Sequence, residues 1–562
     1  MIYCIADNVL SPMGETTAEN YQAVKAGRSA LCRYDHHWQL PESFSASLFT
    51  EAQQQRLSVD GLTRFESLAV RSASDAIRRS GIDVSTPRVI FILSSTKGNI
   101  EQLTIHSADV SLATSARRIA RHLGFTTEPL VACNACISGV SAIVAALRLL
   151  EAGHYDYAVV CGADVQQAFT VSGFQSLKAV SAEACRPFDI ERLGLSLGEA
   201  AATMVFSSET EALRSLRSEA PLWAVMKGAV RNDAYHISTP SKDGEGARQA
   251  LQQVLQGVSP SDLAFVNAHG TATMYNDQME SKAIERAGLS EVPVNALKGY
   301  FGHTLGAAGI LETIISMAAA DDHTILGTRG FEEIGVSGKI RLSANHQPTD
   351  KDCFVKMISG FGGANAALLL KRDRDSGPSR RHLKAPEAAP RTLRGGTSLR
   401  LTPETSLTAL YKEKIGDYPK YYKMDALSRL GFVASELLLQ KRKEEGKGCD
   451  DLHNCSTILF NRSSSIDADR KYQASIAADD FFPSPSVFVY TLPNIVTGEI
   501  AIRHQWKGET SFYILPARDD AFIQQMAEAS LADGETKCIL TGWIDYEDDT
   551  HYEAELWLVR KM

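Results

Sequence analysis

The sequence predicts an α/β protein, and three observations carry that prediction. Short apolar runs alternate with helical stretches along residues 1–372. Several of those runs end in turns rich in glycine and small polar residues, as strands do where they feed helices in an open sheet. The last stretch, 401–562, repeats the order of elements of the first third.

The chain opens with a strand, a turn at Ser11-Pro12 and a helix from Thr17 to Ala26. Gly61–Ser80 reads as a long helix, with Leu62, Phe65, Leu68, Ala69 and Ala73 on one face. Arg88–Leu93 is a buried strand ending in Ser94-Ser95-Thr96-Lys97-Gly98, and a helix follows near Leu112–Leu123. Leu130–Ala132 is apolar, and Val140, Ile143, Val144 and Leu147 then fall at i, i+3, i+4 and i+7 in a helix that continues to Leu150. Small residues fill most of its other positions, so burial on all sides is expected. Tyr157–Cys161 and Ala202–Phe206 are further strands.

A second block with the same grammar begins near Trp223–Val230. It continues with a helix at Gln249–Leu255, a strand at Leu263–Asn267 and a helix carrying Asp277 and Glu280. A strand at Val292–Ala296 and a helix opened by Gly306-Ala-Ala-Gly309 and carrying Glu312 come next. The block ends with strands at Phe354–Ile358 and Ala366–Leu370. Residues 373–400, rich in Arg, Pro, Ser and Gly, read as a linker. In the repeat beyond it, Met424–Ala434 parallels Asp60–Ala69 and Ser456–Ser465 parallels Arg88–Ser95. Cys538–Asp545 parallels Val159–Val165, and Ala554–Val559 parallels Ala202–Phe206. Pro493–Ile500 is matched to Asn134–Ser141, which places Ile495 where the first copy has Cys136.

Hydrophobic content of 44% and charged content of 22% are ordinary for a globular protein. No run approaches the roughly 20 apolar residues of a membrane span, and the N-terminus lacks a signal-peptide layout. Ten scattered cysteines suit a reducing, cytoplasmic setting. The net charge of −9 argues against nucleic-acid binding.

Three polar groups fall at strand ends: Cys136, His269 and His303. Backbone N–H groups at a helix start favour negative charge, so Cys136 is expected to have a lowered thiol pKa and to serve as an acyl acceptor. A cysteine at such a position can also simply pack. Cys133-Asn-Ala-Cys136 spells C-x-x-C, but no second pair with metal spacing follows.

Residues 1–372 resemble the elongating β-ketoacyl-acyl-carrier-protein synthases of the thiolase superfamily. The resemblance rests on Asn-Ala-Cys136-Ile-Ser-Gly, Arg186-Pro-Phe-Asp189, Gly198-Glu199, Asp233-Ala-Tyr-His236, Asn267-Ala-His269-Gly-Thr271-Ala-Thr273, Lys298, Gly302-His303, Gly306-Ala-Ala-Gly309 and Gly360-Phe361-Gly-Gly-Ala-Asn365, all in the family's order. It implies a thiolase-like fold of two duplicated βαβ halves in α-β-α-β-α layers, 1–207 and 208–372, with 401–562 as a smaller α/β lobe without the catalytic cysteine. By the same resemblance Cys136 carries the acyl group, and the N–H groups of Cys136 and Phe361 form an oxyanion hole. His269 and His303 hold the thioester oxygen of malonyl-carrier protein. Lys298, ion-paired with Glu312, supports them, and Thr271 and Thr273 hold the pantetheine arm. The implied reaction is decarboxylative condensation in fatty acid, polyene or polyketide-type lipid synthesis. No metal or cofactor is needed beyond the phosphopantetheine of the acyl carrier protein.

The implied partners are that carrier and a second ketosynthase-like subunit, in a homodimer or a heterodimer. Arg117, Arg118 and Arg121 are candidates for a basic docking patch, and a solvated helix face is the plainer reading of them. A Cys-His-His set differs from the Cys-His-Cys of thiolases and the Cys-His-Asn of priming synthases. The sequence departs from the family at Gly198-Glu199-Ala200 and Arg192-Leu193-Gly194, and is short over Gln102–Gly124. Because chain-length factors also lack the cysteine, 401–562 is expected to pack on a catalytic lobe. The alternative function is a non-catalytic chain-length or scaffold partner of another ketosynthase.

Overall fold

The computed structural model describes residues 1–104, 110–208, 222–373, 392–404, 406–446, 455–477 and 481–561. Local signals set the helices. Arg64–Ser80 begins at a reciprocal capping box, in which Thr63 accepts from the Glu66 N–H and the Glu66 side chain accepts from the Thr63 N–H. It ends at Gly81 with φ +68°, the left-handed stop that glycine adopts without strain.

The strands join into one sixteen-stranded sheet. From one edge the order is Arg341–Leu342, Pro293–Asn295, Phe265–Asn267, Cys353–Gly360, Ala364–Asp373, Leu222–Asn232, Ile2–Leu10, Ala200–Ser207, Tyr157–Asp164, Val89–Ser94 and Leu130–Ala132. It continues through Thr510–Ile514, Cys455–Asn461, Cys538–Asp548 and His551–Lys561 to Thr392–Leu401. Ile2–Leu10 and Leu222–Asn232 pair over only three residues. This short seam lets the strand groups on its two sides fold over a shared layer of helices.

That middle layer holds Ser138–Glu151 and Ala308–Asp321. Their core takes Ile92, Val160 and Met204 from the first strand group and Phe265, Phe354 and Leu368 from the second. The outer faces are covered by Arg64–Ser80 and Leu112–His122 on one side and by Glu245–Val254 and Met274–Arg286 on the other. The layering is therefore α-β-α-β-α, as the resemblance implies. Both middle helices are buried nearly all round, as their small residues foretell. A Cβ on Gly139 would lie 3.0 Å from the Gly306 oxygen, and one on Gly309 would lie 2.8 Å from the Val140 nitrogen. Glycine lets the two helix starts meet.

The C-terminal stretch continues the same sheet. Tyr513 pairs with Ala132 and Ile514 with Val131, antiparallel. Outward from this seam the two arms match strand for strand. The neighbour Val89–Ser94 and its counterpart Cys455–Asn461 are both parallel to the seam strands. Beyond them Tyr157–Asp164 and Cys538–Asp548 pair parallel, and Ala200–Ser207 and His551–Lys561 pair antiparallel. The outermost strand of this series is Ile2–Leu10 in one arm and Thr392–Leu401 in the other.

This order corrects two expectations. Thr392–Leu401, read as the end of the linker, is a strand and the counterpart of the chain's first strand. Its Arg-, Gly- and Thr-rich composition disguised an edge position, where one side of the backbone needs no apolar cover. Residues 374–391 of the expected linker lie outside the described set. Ile495 is also not the counterpart of Cys136. Ile495–His504 precedes the seam strand, as Leu112–His122 does. The helix that follows the seam strand is Asp520–Leu531, which packs on Ser138–Glu151. The place of Cys136 therefore falls in Leu515–Asp519, which has no cysteine either. Ile-Val-Thr-Gly-Glu-Ile mimics the apolar and small pattern of the first copy, but hydrogen-bonded strand order decides the match.

Other elements were not foreseen: the helix Ala168–Ser176 and a small sheet of Cys32–Tyr34, Phe44–Ser47 and Leu197–Gly198.

Candidate active site

Cys136 sits in the single 3-10 turn Ala135–Ile137 that leads into the buried helix Ser138–Glu151. Ala135 is held at φ +50°, a left-handed conformation costly for a residue with a Cβ. His269 follows the strand Phe265–Asn267, and His303 follows the short helix Lys298–Phe301. These segments are far apart in sequence, yet the sulfur and one ring nitrogen of each histidine all lie within 4.8 Å of one another. The two imidazoles meet edge to face, with centroids 5.0 Å apart. All three side chains line one cavity of about 330 Å³, whose wall also includes Thr271, Thr273 and Phe361.

The backbone around His269 is clamped by charge. Glu280 accepts from the N–H groups of His269 and Gly270, each at 2.7 Å. Lys298 Nζ donates to the His269 carbonyl at 2.7 Å and pairs with Glu312 Oε1 at 2.6 Å. Glu312 Oε2 in turn pairs with Lys356 Nζ at 2.5 Å, and Lys356 donates to the Ala268 carbonyl. Sequence reasoning found the Lys298–Glu312 pair but missed Lys356 and the role of Glu280. A lone lysine within Phe354-Val-Lys-Met-Ile was the available signal, because a cation in a buried strand needs a buried anion.

Burial sets the protonation states. It pushes the Cys136 thiol up to about 12, and the Lys298 charge only partly opposes this. Desolvation thus runs against the expected lowering of the thiol pKa. Burial, reinforced by the Lys298 charge, holds His269 and His303 well below the ordinary histidine value. The resting set is a thiol facing two neutral imidazoles. His269 Nδ1 and both ring nitrogens of His303 have no hydrogen-bond partner among the described residues, so they are free to serve a substrate.

Thr271 and Thr273 stand beside each other, with their hydroxyls 2.9 Å apart. The turn Gly360-Phe361-Gly362 crosses Cys136, and a Cβ on Gly360 would sit 3.2 Å from the Cys136 nitrogen. Phe361 stacks on Phe174, from the unforeseen helix, at 6.1 Å. Arg117, Arg118 and Arg121 are not part of the cavity wall. Arg117 pairs with Glu128 at 2.7 Å, and Arg118 reaches the buried Glu66 at 3.7 Å.

Comparison with known proteins bears on this constellation. The model of the β-ketoacyl synthase N-terminal domain matches residues 2–212, and that of the C-terminal domain matches 223–332, together more than half of the chain. The chain belongs to the β-ketoacyl synthase family. It is 36% identical over 255 residues to 3-oxoacyl-[acyl-carrier-protein] synthase 2 of Rhizobium meliloti, a match covering 42% of this chain and 59% of that relative. To the enzyme of the same name from Vibrio cholerae it is 28% identical, covering 65% of this chain and 97% of the relative. Among solved β-ketoacyl synthase structures, the ketosynthase ApeO in complex with its chain length factor ApeC from Xenorhabdus doucetiae aligns at TM-score 0.58 and 26% identity. That alignment covers 66% of this chain and 98% of that one. The PfaC keto synthase–chain length factor aligns with 100% of this chain and 78% of its own at TM-score 0.77 and 13% identity, which extends the likeness of fold through the C-terminal lobe.

Proposed function

We propose that this β-ketoacyl synthase is a 3-oxoacyl-[acyl-carrier-protein] synthase, an acyltransferase that lengthens an acyl chain by decarboxylative condensation. The observation that carries the reading is the convergence of one thiol and two imidazoles on one cavity. In the first half-reaction the Cys136 sulfur attacks the thioester carbonyl of an acyl-carrier protein while a neighbouring imidazole accepts the thiol proton. The pantetheine sulfur leaves with a proton, and the acyl group remains on Cys136. N–H groups of Cys136 and Phe361 aimed at the carbonyl oxygen stabilise the negative charge it gains. One such donor is typically worth about 3–4 kcal/mol.

In the second half-reaction malonyl-carrier protein enters with its pantetheine arm along Thr271 and Thr273. The bond to its carboxylate breaks, carbon dioxide leaves, and the electron pair forms an enolate whose oxygen accepts from His269 and His303. The carbanion attacks the acyl-Cys136 carbonyl, a carbon–carbon bond forms, and the Cys136 sulfur leaves as thiolate and takes up one proton from solvent. Lys298, Glu312, Lys356 and Glu280 touch no substrate. They hold the backbone that aims His269.

The C-terminal lobe, 392–561 among the described residues, acts as the built-in partner. It pairs with the strand Leu130–Ala132 that would otherwise end the sheet, so no second chain is needed at that edge. The whole-length likeness to a keto synthase–chain length factor supports this assignment. The seam is tied by a buried ion pair, Lys97 to Asp469 at 2.6 Å. We assign the acyl carrier protein as partner and the cytoplasm as location. Among the described residues no helix is long and apolar enough to cross a membrane. Incubation of the protein with acyl- and malonyl-carrier proteins tests the reading: carbon dioxide and a 3-oxoacyl product two carbons longer are expected. Release of acetyl groups by coenzyme A without any malonyl donor would mean thiolysis instead, and no turnover would leave the non-catalytic partner reading.

A further inference from the structure

The C-terminal lobe does more than close the sheet, because it reaches the turn that crosses Cys136. The start of the helix Ile495–His504 lies directly on Gly360-Phe361-Gly362. Asn494, 1% exposed, donates from Nδ2 to the Phe361 carbonyl at 2.9 Å. A Cβ on Gly362, which has φ +87°, would sit 2.8 Å from the same Nδ2. A Cβ on Gly498, one turn into the helix, would sit 2.7 Å from the Gly362 oxygen. Two glycines, one from each lobe, thus allow the close approach.

The contact fixes one peptide plane. The peptide joining Phe361 and Gly362 has its oxygen held by Asn494 and its N–H held by the Ile237 carbonyl at 2.6 Å. The next oxygen, that of Gly362, accepts from Asn232 Nδ2 at 2.7 Å, and the same amide donates to Thr510 Oγ1 on the C-terminal seam strand at 2.8 Å. The peptide after Phe361 is thus held from both sides, which restrains the residue whose own N–H lies next to Cys136 in the turn. Asn494 does this with one end only. Its Oδ1 is buried and has no partner among the described residues. Leaving an acceptor unpaired in the interior is costly, so the donor end accounts for a polar residue at this position.

We propose that Asn494 is a positioning residue through which the C-terminal lobe sets the oxyanion hole of the catalytic lobe. The proposal rests on the condensing-enzyme reading, in which the Phe361 N–H faces the thioester oxygen on Cys136. Asn494 touches no substrate, and its effect passes through the Phe361 peptide. It therefore bears on acylation of Cys136 and on condensation, and not on malonyl decarboxylation, whose enolate oxygen is held by the two histidines.

The test compares Asn494→Leu, of similar size and without a donor, with the wild-type full-length chain. The first readout is the single-turnover rate of Cys136 acylation by acyl-carrier protein. The second is malonyl-carrier protein decarboxylation in the absence of an acyl primer. The expected result is a fall in acylation rate of roughly tenfold or more, since a misaimed donor loses part of what a deleted one loses. The Kd for acyl-carrier protein and the decarboxylation rate stay at wild-type levels. Asn494→Asp supplies a second reading, because its carboxyl can donate to the Phe361 oxygen only when protonated. Its acylation rate relative to wild type should rise as pH falls. Equal acylation by Asn494→Leu and wild type, or a parallel loss of acylation and decarboxylation, overturns the proposal. An Asp variant with a flat ratio against pH also overturns it. Failure of the wild-type chain to acylate at all would instead refute the condensing-enzyme reading beneath it.

Discussion

The first third of the chain and its C-terminal lobe run the same strands in the same order on either side of one seam, yet only the first has a cysteine just beyond its seam strand. At the end of its seam strand the first copy offers the sharp turn Ala135–Ile137 and a sulfur facing a cavity. At the corresponding place the second copy has Arg518, tied to Asp520 and Glu555, each at 2.8 Å. The first copy is also covered by a second half that delivers His269 and His303. The C-terminal lobe has the short helix Leu407–Lys414 and an aromatic cluster in which Tyr411 and Tyr421 stack at 4.0 Å beside Phe432. The same apolar cluster takes in Ala135 and Ile237 from the first 372 residues. Strand order survives such replacement because apolar pattern and hydrogen bonding specify it, whereas the chemistry hangs on a few side chains and can vanish with them.

Substitutions in the two arms should therefore differ in kind. The largest effect is expected for Cys136→Ala, which should lower condensation by roughly 10⁴-fold or more. Arg518→Ala in the other arm should leave turnover within a few-fold, as a turnover assay with both carrier substrates will show. Lys97→Met, which strips Asp469 of its partner at the seam, should cost about 3–5 kcal/mol of stability in urea unfolding. His303→Ala should slow malonyl decarboxylation by roughly 10²–10³-fold and leave the unfolding midpoint almost unmoved. The pH profile of decarboxylation comes next. Both histidines must be neutral, and both are held below the ordinary value of 6.5. Protonation on acidification is thereby delayed, so the rate should hold as pH is lowered through 6.5 and fall only beneath it. A fall centred at or above 6.5 would contradict the burial argument. The smallest effect is that of Thr271→Val, a rise of a few-fold in KM for malonyl-carrier protein, in keeping with about 1 kcal/mol for one hydrogen bond.

Much of this contrast was legible in the residues. Turns at strand ends located Cys136 and His269, whereas His303 follows the short helix Lys298–Phe301 after its strand, and the Lys298–Glu312 pair that the resemblance implied stands at 2.6 Å. Four of the features that were missed have a clear physical reason. The strand Thr392–Leu401 has little apolar character because it is an edge. The match of Ile495 to Cys136 failed because small and apolar residues recur at many helix starts, while strand partners are set over long sequence separations. The thiol pKa is pushed up rather than down by burial, which no local pattern reports. Asn494 stayed hidden because its partner, Phe361, lies 133 positions away, across the seam between lobes.

The proposed chemistry depends most on a single reactive sulfur in a chain of two like arms. Intact-mass analysis followed by peptide mapping, after incubation with acyl-carrier protein, tests this directly. One acyl group per chain is expected, located on Cys136 and discharged when malonyl-carrier protein is added. An unmodified protein, or an acyl group on any of the other nine cysteines that persists after malonyl addition, would contradict it.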